Sequence, residues 1–302
     1  MVKGDRDTGG VQPNPELYEL SMRIPQFSEE ELGYLVRLIK TGGIFQPQLN
    51  QKVEVSHSNM PTIEVAGQPR SLKTTMIQYS MYQLRSMGVK ADFIPEPRID
   101  VDKRKYPVEY TLLFGAELQK ELLTREKKEY EVLLLDRGIF DRIGFLYAQS
   151  VVREIDYASY LTAKAYLLTF FSKFVDGLII CNCSSQASLR REGNQTVLRP
   201  IMQKDYLDSL GSSYRSLPTN ISVRDPFYGP LTPKINTLPV VSIDTTWVGQ
   251  NEQGRGWKQN LNLLHSASEY TAEVETWDEY ANVFFKSIGT FSRIYTSGGK
   301  IH

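Results

Sequence analysis

From Pro61 onward the chain alternates between two hydrophobic rhythms. Short unbroken apolar runs, read as buried strands, are followed by stretches in which apolar residues return every three or four positions, read as helices. The first strand is expected over Thr62–Ala66 and the first helix over Lys73–Met87, with Met76, Ile77, Met81 and Leu84 on one face and Gly88 as its stop. A second strand follows at Lys90–Ile94 and a helix from Tyr110 to Lys127. A third strand is expected at Val132–Leu135, a long helix from about Asp156 to Val175, a fourth strand at Gly177–Cys183 and a fifth at Pro239–Ile243. Thr276-Trp277-Asp278 opens a last helix through Val283, Phe284, Phe285 and Ile288. Runs such as Val132-Leu133-Leu134-Leu135 suit strands buried on both faces, so the sheet is expected to be parallel with helices on either side.

Three regions fall outside this alternation. Residues 1–20 read as a tail. Ser28-Glu29-Glu30-Glu31 is a capping box, and Leu32, Leu35, Val36, Leu38 and Ile39 follow at helical spacing up to Gly42-Gly43. Residues 1–60 are therefore a tail with an appended helix, and 61–302 the main domain. Within that domain 218–239 is Pro-rich and reads as a loop, and 247–270 reads as a polar insertion.

Candidate chemistry enters between the first strand and the first helix. Gly67-Gln68-Pro69-Arg70-Ser71-Leu72-Lys73-Thr74-Thr75 links an apolar run to an amphipathic helix. That is the layout of a phosphate-binding P-loop, in which backbone amides and a helix N-terminus hold nucleotide phosphates and the lysine reaches the terminal ones. The glycine usual before the lysine is replaced by Leu72. If that position needs a positive φ, leucine is strained there by on the order of 1–3 kcal/mol. All nine residues, Gly67 to Thr75, are candidate nucleotide contacts. The expected fold class is α/β: a P-loop NTPase three-layer fold with a mostly parallel five-stranded sheet and an N-terminal helical extension.

A second candidate closes the third strand. Asp136 follows four apolar residues, at the sheet end where parallel α/β folds bind ligands. An aspartate there suits Mg²⁺, with Thr74 as the second metal ligand.

Composition narrows the partners. Lysine plus arginine and aspartate plus glutamate both number 35, so the net charge is zero. Generalised binding to nucleic acid is not favoured, although the run Lys103-Arg104-Lys105 leaves a local basic groove open. No apolar run is long enough for a membrane span, and residues 1–20 lack the apolar region of a signal peptide. Cys181 and Cys183, two apart in a strand, read as buried small side chains, and the three histidines are scattered, so neither a disulfide framework nor zinc is expected. A cytoplasmic location is expected, and a homodimer is left open.

Asp136-Arg137, followed by Gly138, Phe140 and Asp141, resembles the Asp/Glu-Arg-Ser motif of the deoxynucleoside and thymidylate kinases. Gly138 stands where that family has Ser or a similar residue. Glu96-Pro97, after the second strand, resembles the family's Glu-Pro pair, and the resemblance makes Glu96 the base on the acceptor hydroxyl. The segment from Ser188 through Arg190, Arg191, Gly193 and Asn194 to Arg199, with Tyr206-Leu207 and Leu210 beyond, resembles the family's arginine-bearing lid. The resemblance spans about Pro61–Thr246. It implies ATP or another nucleoside triphosphate, Mg²⁺, a nucleoside-like acceptor, and catalytic roles for Glu96, Asp136, Arg137, Arg190 and Arg191.

Three functions fit these residues. The first is transfer of the γ-phosphoryl group of ATP to a nucleoside- or nucleotide-like acceptor. The second keeps that chemistry on a hydroxylated base or terminus within a polynucleotide. The third is a nucleotide-binding switch or interaction module without efficient transfer, for which Leu72 is the motive.

Overall fold

The computed structural model describes residues 61–103, 105–126, 130–171, 174–192, 202–222, 238–248 and 269–296. The appended helix expected within residues 1–60 lies outside them, as do 193–201 of the expected lid.

Six strands form one sheet: β1 (Thr62–Gly67), β2 (Ala91–Ile94), β3 (Val132–Asp136), β4 (Gly177–Asn182), β5 (Val240–Asp244) and β6 (Glu269–Glu273). Their order is β2-β3-β1-β4-β5-β6, and every neighbouring pair is parallel. The fold is thus the expected α/β class with a parallel sheet; among the described residues the sheet has six strands where five were expected, and every neighbouring pair is parallel. The additional strand, β6, begins inside the stretch read as a polar insertion. Its sequence, Glu-Tyr-Thr-Ala-Glu, carries acidic residues at both ends and lacks the apolar run of a strand paired on both sides. As an edge strand it has one partner, with Asp244 aligned to Glu273.

The helices are α1 (Lys73–Ser86), α2 (Pro107–Glu126), α3 (Ile139–Val151), α4 (Tyr157–Phe171), α5 (Ser185–Glu192), α6 (Lys204–Ser222) and α7 (Trp277–Thr296). The period-2 alternation of the strands divides the core in two. Leu133, Leu135, Leu178 and Ile180 face one side, with Phe114 of α2, Phe140 and Leu146 of α3, Leu167 of α4 and Tyr214 of α6. Leu134, Ile179 and Ile243 face the other, with Met76, Ile77 and Leu84 of α1 and Tyr280, Phe284 and Phe285 of α7. Both faces of the central strands are covered, which is why their sequences show no polar alternation.

Two helical regions differ from expectation. The region between β3 and β4 holds two helices, α3 and α4. Helix α3 was hidden because its pattern is broken by buried Asp141 and Arg142 and by Gly144. Gly144 admits close packing by α6: a Cβ there would lie 2.9 Å from the Tyr214 ring. Helix α6 continues through Pro218 to Ser222, so the first residues of the expected Pro-rich loop are helical. Residues 223–237 lie outside the described residues.

The topology also locates a crevice. The chain leaves β1 toward β2, returns with β3 beside β1, then crosses to β4 on its other side. At such a switch point the loops after neighbouring strands diverge and leave a cleft beyond their C-terminal ends. Gly67, Asp136 and Asn182 end the three strands that meet there.

Candidate functional site

The loop after β1 is held from below by its side chains and presents backbone above. Gly67 has φ +139°, and a Cβ there would lie 2.0 Å from the Cys181 carbonyl oxygen, so only glycine fits. The Gln68 amide donates to the Leu207 carbonyl (2.8 Å), and its oxygen accepts the Cys183 amide (3.0 Å). Gln68 therefore contributes backbone rather than side chain to the crevice. Ser188 of α5 donates to the Pro69 carbonyl, and Ser71 is fully buried. Arg70 is 42 % exposed and paired with Glu192.

Arg70 (φ 59°) and Leu72 (φ 68°) are left-handed, so the strain anticipated for leucine is present. Two left-handed residues, one apart, leading into a helix N-terminus, are the kind of backbone that forms anion-binding concavities. Leu72 caps α1 without a side-chain bond. The amides of the first turn, from Lys73, Thr74 and Thr75, have no intrahelical acceptor.

Lys73 is turned back into this loop. Its ammonium donates to the carbonyls of Gly67 (2.8 Å) and Gln68 (2.7 Å) and to the Ser71 hydroxyl (3.2 Å). Burial, then the positive charge of Arg137, pulls its pKa down to about 8. An anion entering the concavity would offer this lysine a stronger partner than neutral carbonyls.

The Thr74 hydroxyl donates to Asp136 Oδ2 across 2.7 Å. Asp136 Oδ1 is buried with no hydrogen-bond partner among the described residues. One committed and one unmet carboxylate oxygen beside a hydroxyl is a hard-oxygen donor set, and it fits a divalent cation such as Mg²⁺ that takes its other ligands from water and phosphate.

Beside it lies a charged cluster at the ends of β2 and β3. Arg137, left-handed at φ 69°, pairs through Nη1 with Asp141 (2.8 Å) and through Nε with Glu96 (3.2 Å). Arg142, with only 4 % of its side chain exposed, also pairs with Glu96. Its guanidinium lies 4.6 Å from the Phe114 ring centroid and 5.1 Å from that of Phe145. Burial opposes the charge on Arg137, but Asp141 and Glu96 outweigh it and raise its pKa. Burial likewise opposes ionisation of Asp141, yet Arg137, Arg142 and Lys73 hold its carboxyl below the usual range. Glu96 is 37 % exposed and is paired with both arginines.

The arginines at the end of α5 part company. Arg190 is exposed. Arg191 donates to the carbonyls of Arg70 (3.1 Å), Thr245 and Val248 (3.0 Å), tying α5 to both the phosphate-type loop and the loop after β5. Burial lowers its pKa.

The structure thus brings together Gly67–Thr75, Asp136, Arg137 and Glu96, and puts Arg191 against the same loop. Sequence reasoning gave no role to Asp141, Arg142 or Tyr214. Asp141 is the hub: its Oδ1 accepts the Gly67 amide (3.0 Å) and the Tyr214 hydroxyl (2.7 Å). The one available signal was the closeness of Asp141 and Arg142 to Arg137 in the chain.

Two solved structures of deoxyadenosine kinase from M. mycoides, one with bound dATP and one with bound dCTP, are similar to the chain. Each is 14 % identical to it, with TM-scores of 0.45 and 0.43. The matches cover 61 % of this chain and 90 % and 89 % of those chains. This likeness concerns the fold alone. No protein-family model matches the chain, and no curated protein matches it in sequence.

Proposed function

We propose that the protein is a P-loop kinase that transfers the γ-phosphoryl group of ATP, or a similar nucleoside triphosphate, to a nucleoside- or nucleotide-like acceptor. The observation that carries this reading is the pairing of Thr74 with Asp136, whose other oxygen is buried and unmet, directly beyond a left-handed loop ending in Lys73. In this reading Gly67 to Thr75 hold the phosphates through their backbone. Lys73 leaves its intraloop carbonyls for the β- and γ-phosphates. Thr74 and Asp136 would hold Mg²⁺, which supplies charge neutralisation to phosphoryl transfer.

Arg137 stands one residue beyond Asp136 and faces Glu96, and so suits charge developing between donor and acceptor. Glu96 receives or orients the acceptor hydroxyl. Arg190, which is exposed, would meet phosphate, whereas Arg191 acts as a positioning residue through the carbonyls it holds.

A second reading, a nucleotide-dependent switch, draws on the way Lys73 satisfies itself within its own loop. ADP formation measured with Mg²⁺ and a panel of nucleosides, nucleoside monophosphates and hydroxyl-terminated oligonucleotides tests both. The kinase reading expects at least one acceptor to stimulate ADP release strongly. Tight nucleotide binding with no acceptor-stimulated turnover would favour the switch. Stimulation by the oligonucleotide alone would transfer the chemistry to a polymeric acceptor.

A further inference from the structure

Glu64 is the residue of the central strand that the site described above does not use. It lies in the middle of β1, fully buried, among Thr62, Ile63, Val65 and Ala66. A carboxylate in such a place is costly unless its oxygens are occupied. They are occupied, by the backbone of a different element. Oε1 accepts the Asp141 amide (2.7 Å) and Oε2 accepts the Phe140 amide (3.2 Å), 77 and 76 residues away in sequence.

Those two amides have a particular place. Helix α3 starts at Ile139 with Gly138 as its N-cap, at φ −137° and ψ −147° and without a side-chain bond. Phe140 and Asp141 are then the second and third helical residues. Their amides are the ones an N-cap serine, threonine or aspartate normally serves from its own side chain. Here the cap comes from the neighbouring strand. Gly138 is its counterpart: a Cβ on residue 138 would lie 2.4 Å from Glu64 Oε2 and 2.5 Å from its carboxyl carbon. The Glu64 carboxyl group, with or without its proton, occupies the space that a capping side chain would fill.

The capped turn carries the charged cluster. It runs from Asp136 through Arg137 into α3, and Asp141 grips both the Arg137 guanidinium and the Gly67 amide. Displacing the start of α3 would move all of these together.

We propose that Glu64 is a positioning residue of the phosphoryl-transfer site: it caps α3 in place of residue 138 and so fixes Arg137 and the first amide of the phosphate loop. The inference rests on the kinase reading for its kinetic consequence, but the cap itself does not depend on that reading.

Four proteins test it: wild type, Glu64→Ala, Gly138→Ser, and the double variant. Each single change should lower kcat by on the order of 10- to 100-fold, with nucleotide Kd changed by about 3-fold or less, because positioning acts on the transition state more than on ground-state binding. Amide hydrogen exchange at Phe140 and Asp141 should quicken in Glu64→Ala. In the double variant the serine hydroxyl enters the vacated space and can accept one of the two amides. Both kcat and exchange protection should then recover toward wild type, a non-additive coupling that a merely structural loss would not give. Glu64→Gln, which keeps the shape and one acceptor oxygen, should be intermediate and guards against a Glu64→Ala protein that does not fold.

A double variant no better than the worse single one would overturn the proposal. So would a Glu64→Ala protein with unchanged exchange at 140 and 141. If wild type transfers no phosphoryl group to any acceptor, the kinase reading fails and the kinetic part of the proposal with it, while exchange alone decides the cap.

Discussion

The hydroxyl of Thr74 and the carboxylate of Asp136 meet across 2.7 Å, joining the first turn of α1 to the end of β3. The two residues are 62 apart in the chain, and parallel pairing of β1 with β3 is what aligns them. If the unmet Asp136 oxygen takes a divalent cation, Asp136→Asn should lower Mg²⁺-dependent turnover by on the order of 100-fold or more. The folded structure should persist, as judged by circular dichroism. Steady-state kinetics across a Mg²⁺ titration checks this, and unchanged turnover would remove Asp136 from the metal site.

Lys73 predicts a proton linkage. Its pKa is near 8 in the free protein, held down first by burial and then by Arg137. Phosphates that take over as its partners favour the charged form and so raise that pKa. Binding should therefore take up a proton, and affinity should fall as pH rises from about 8 toward 10. Calorimetry in buffers of different ionisation enthalpy at about pH 9 measures the uptake directly. Lys73→Arg, charged throughout, should show none.

Glu64 predicts a stability profile of opposite sense to an ordinary salt-bridged carboxylate. Burial is the main cause that lifts its pKa from 4.5 to about 8, with Asp141 adding to the lift while the amide bonds oppose it. The folded state thus holds a proton that the unfolded state releases. The stabilisation is complete below about pH 4.5 and is lost as pH rises through about 8. Thermal unfolding of wild type against Glu64→Gln over that range should show the steeper loss in wild type. Parallel curves would contradict it.

The residues that the fold gathers into the candidate site were partly legible in the chain. Gly67, Lys73 and Thr74 stood between an apolar run and an amphipathic helix, and Asp136 ended an unbroken apolar strand. Local pattern carries that information because the strand-loop-helix unit is local. Glu64 was hidden because its partners are backbone amides 76 and 77 residues away, which leave no trace in side-chain spacing. Adjacency in the chain pairs Arg191 with Arg190, but the partners of Arg191 are three carbonyls from distant loops. Arg142 gives no signal in the sequence because an arginine enclosed by Phe114 and Phe145 interrupts the apolar rhythm of its helix. Strand β6 was missed because an edge strand in a parallel sheet does not need the buried run that marked the others.

The adjacent arginines at the end of α5 should separate by experiment. Arg191→Ala removes the guanidinium donor from the carbonyls of Arg70, Thr245 and Val248 and should cost about 1–3 kcal/mol of stability. Arg190→Ala should change stability by less than about 0.5 kcal/mol and lower turnover instead. Chemical denaturation and kcat, measured on both variants, separate a strut from a phosphate contact. Equal stability losses would show that the two arginines are not divided in this way.

The central claim is phosphoryl transfer, and the most direct test follows the phosphorus. ATP labelled at the γ-phosphate is incubated with Mg²⁺ and the acceptor panel, and products of the wild type and of Lys73→Ala are resolved side by side. The account predicts label on an acceptor hydroxyl or phosphate with wild type and its loss with Lys73→Ala. Label that appears only as free phosphate, or transfer that persists undiminished in Lys73→Ala, would contradict it.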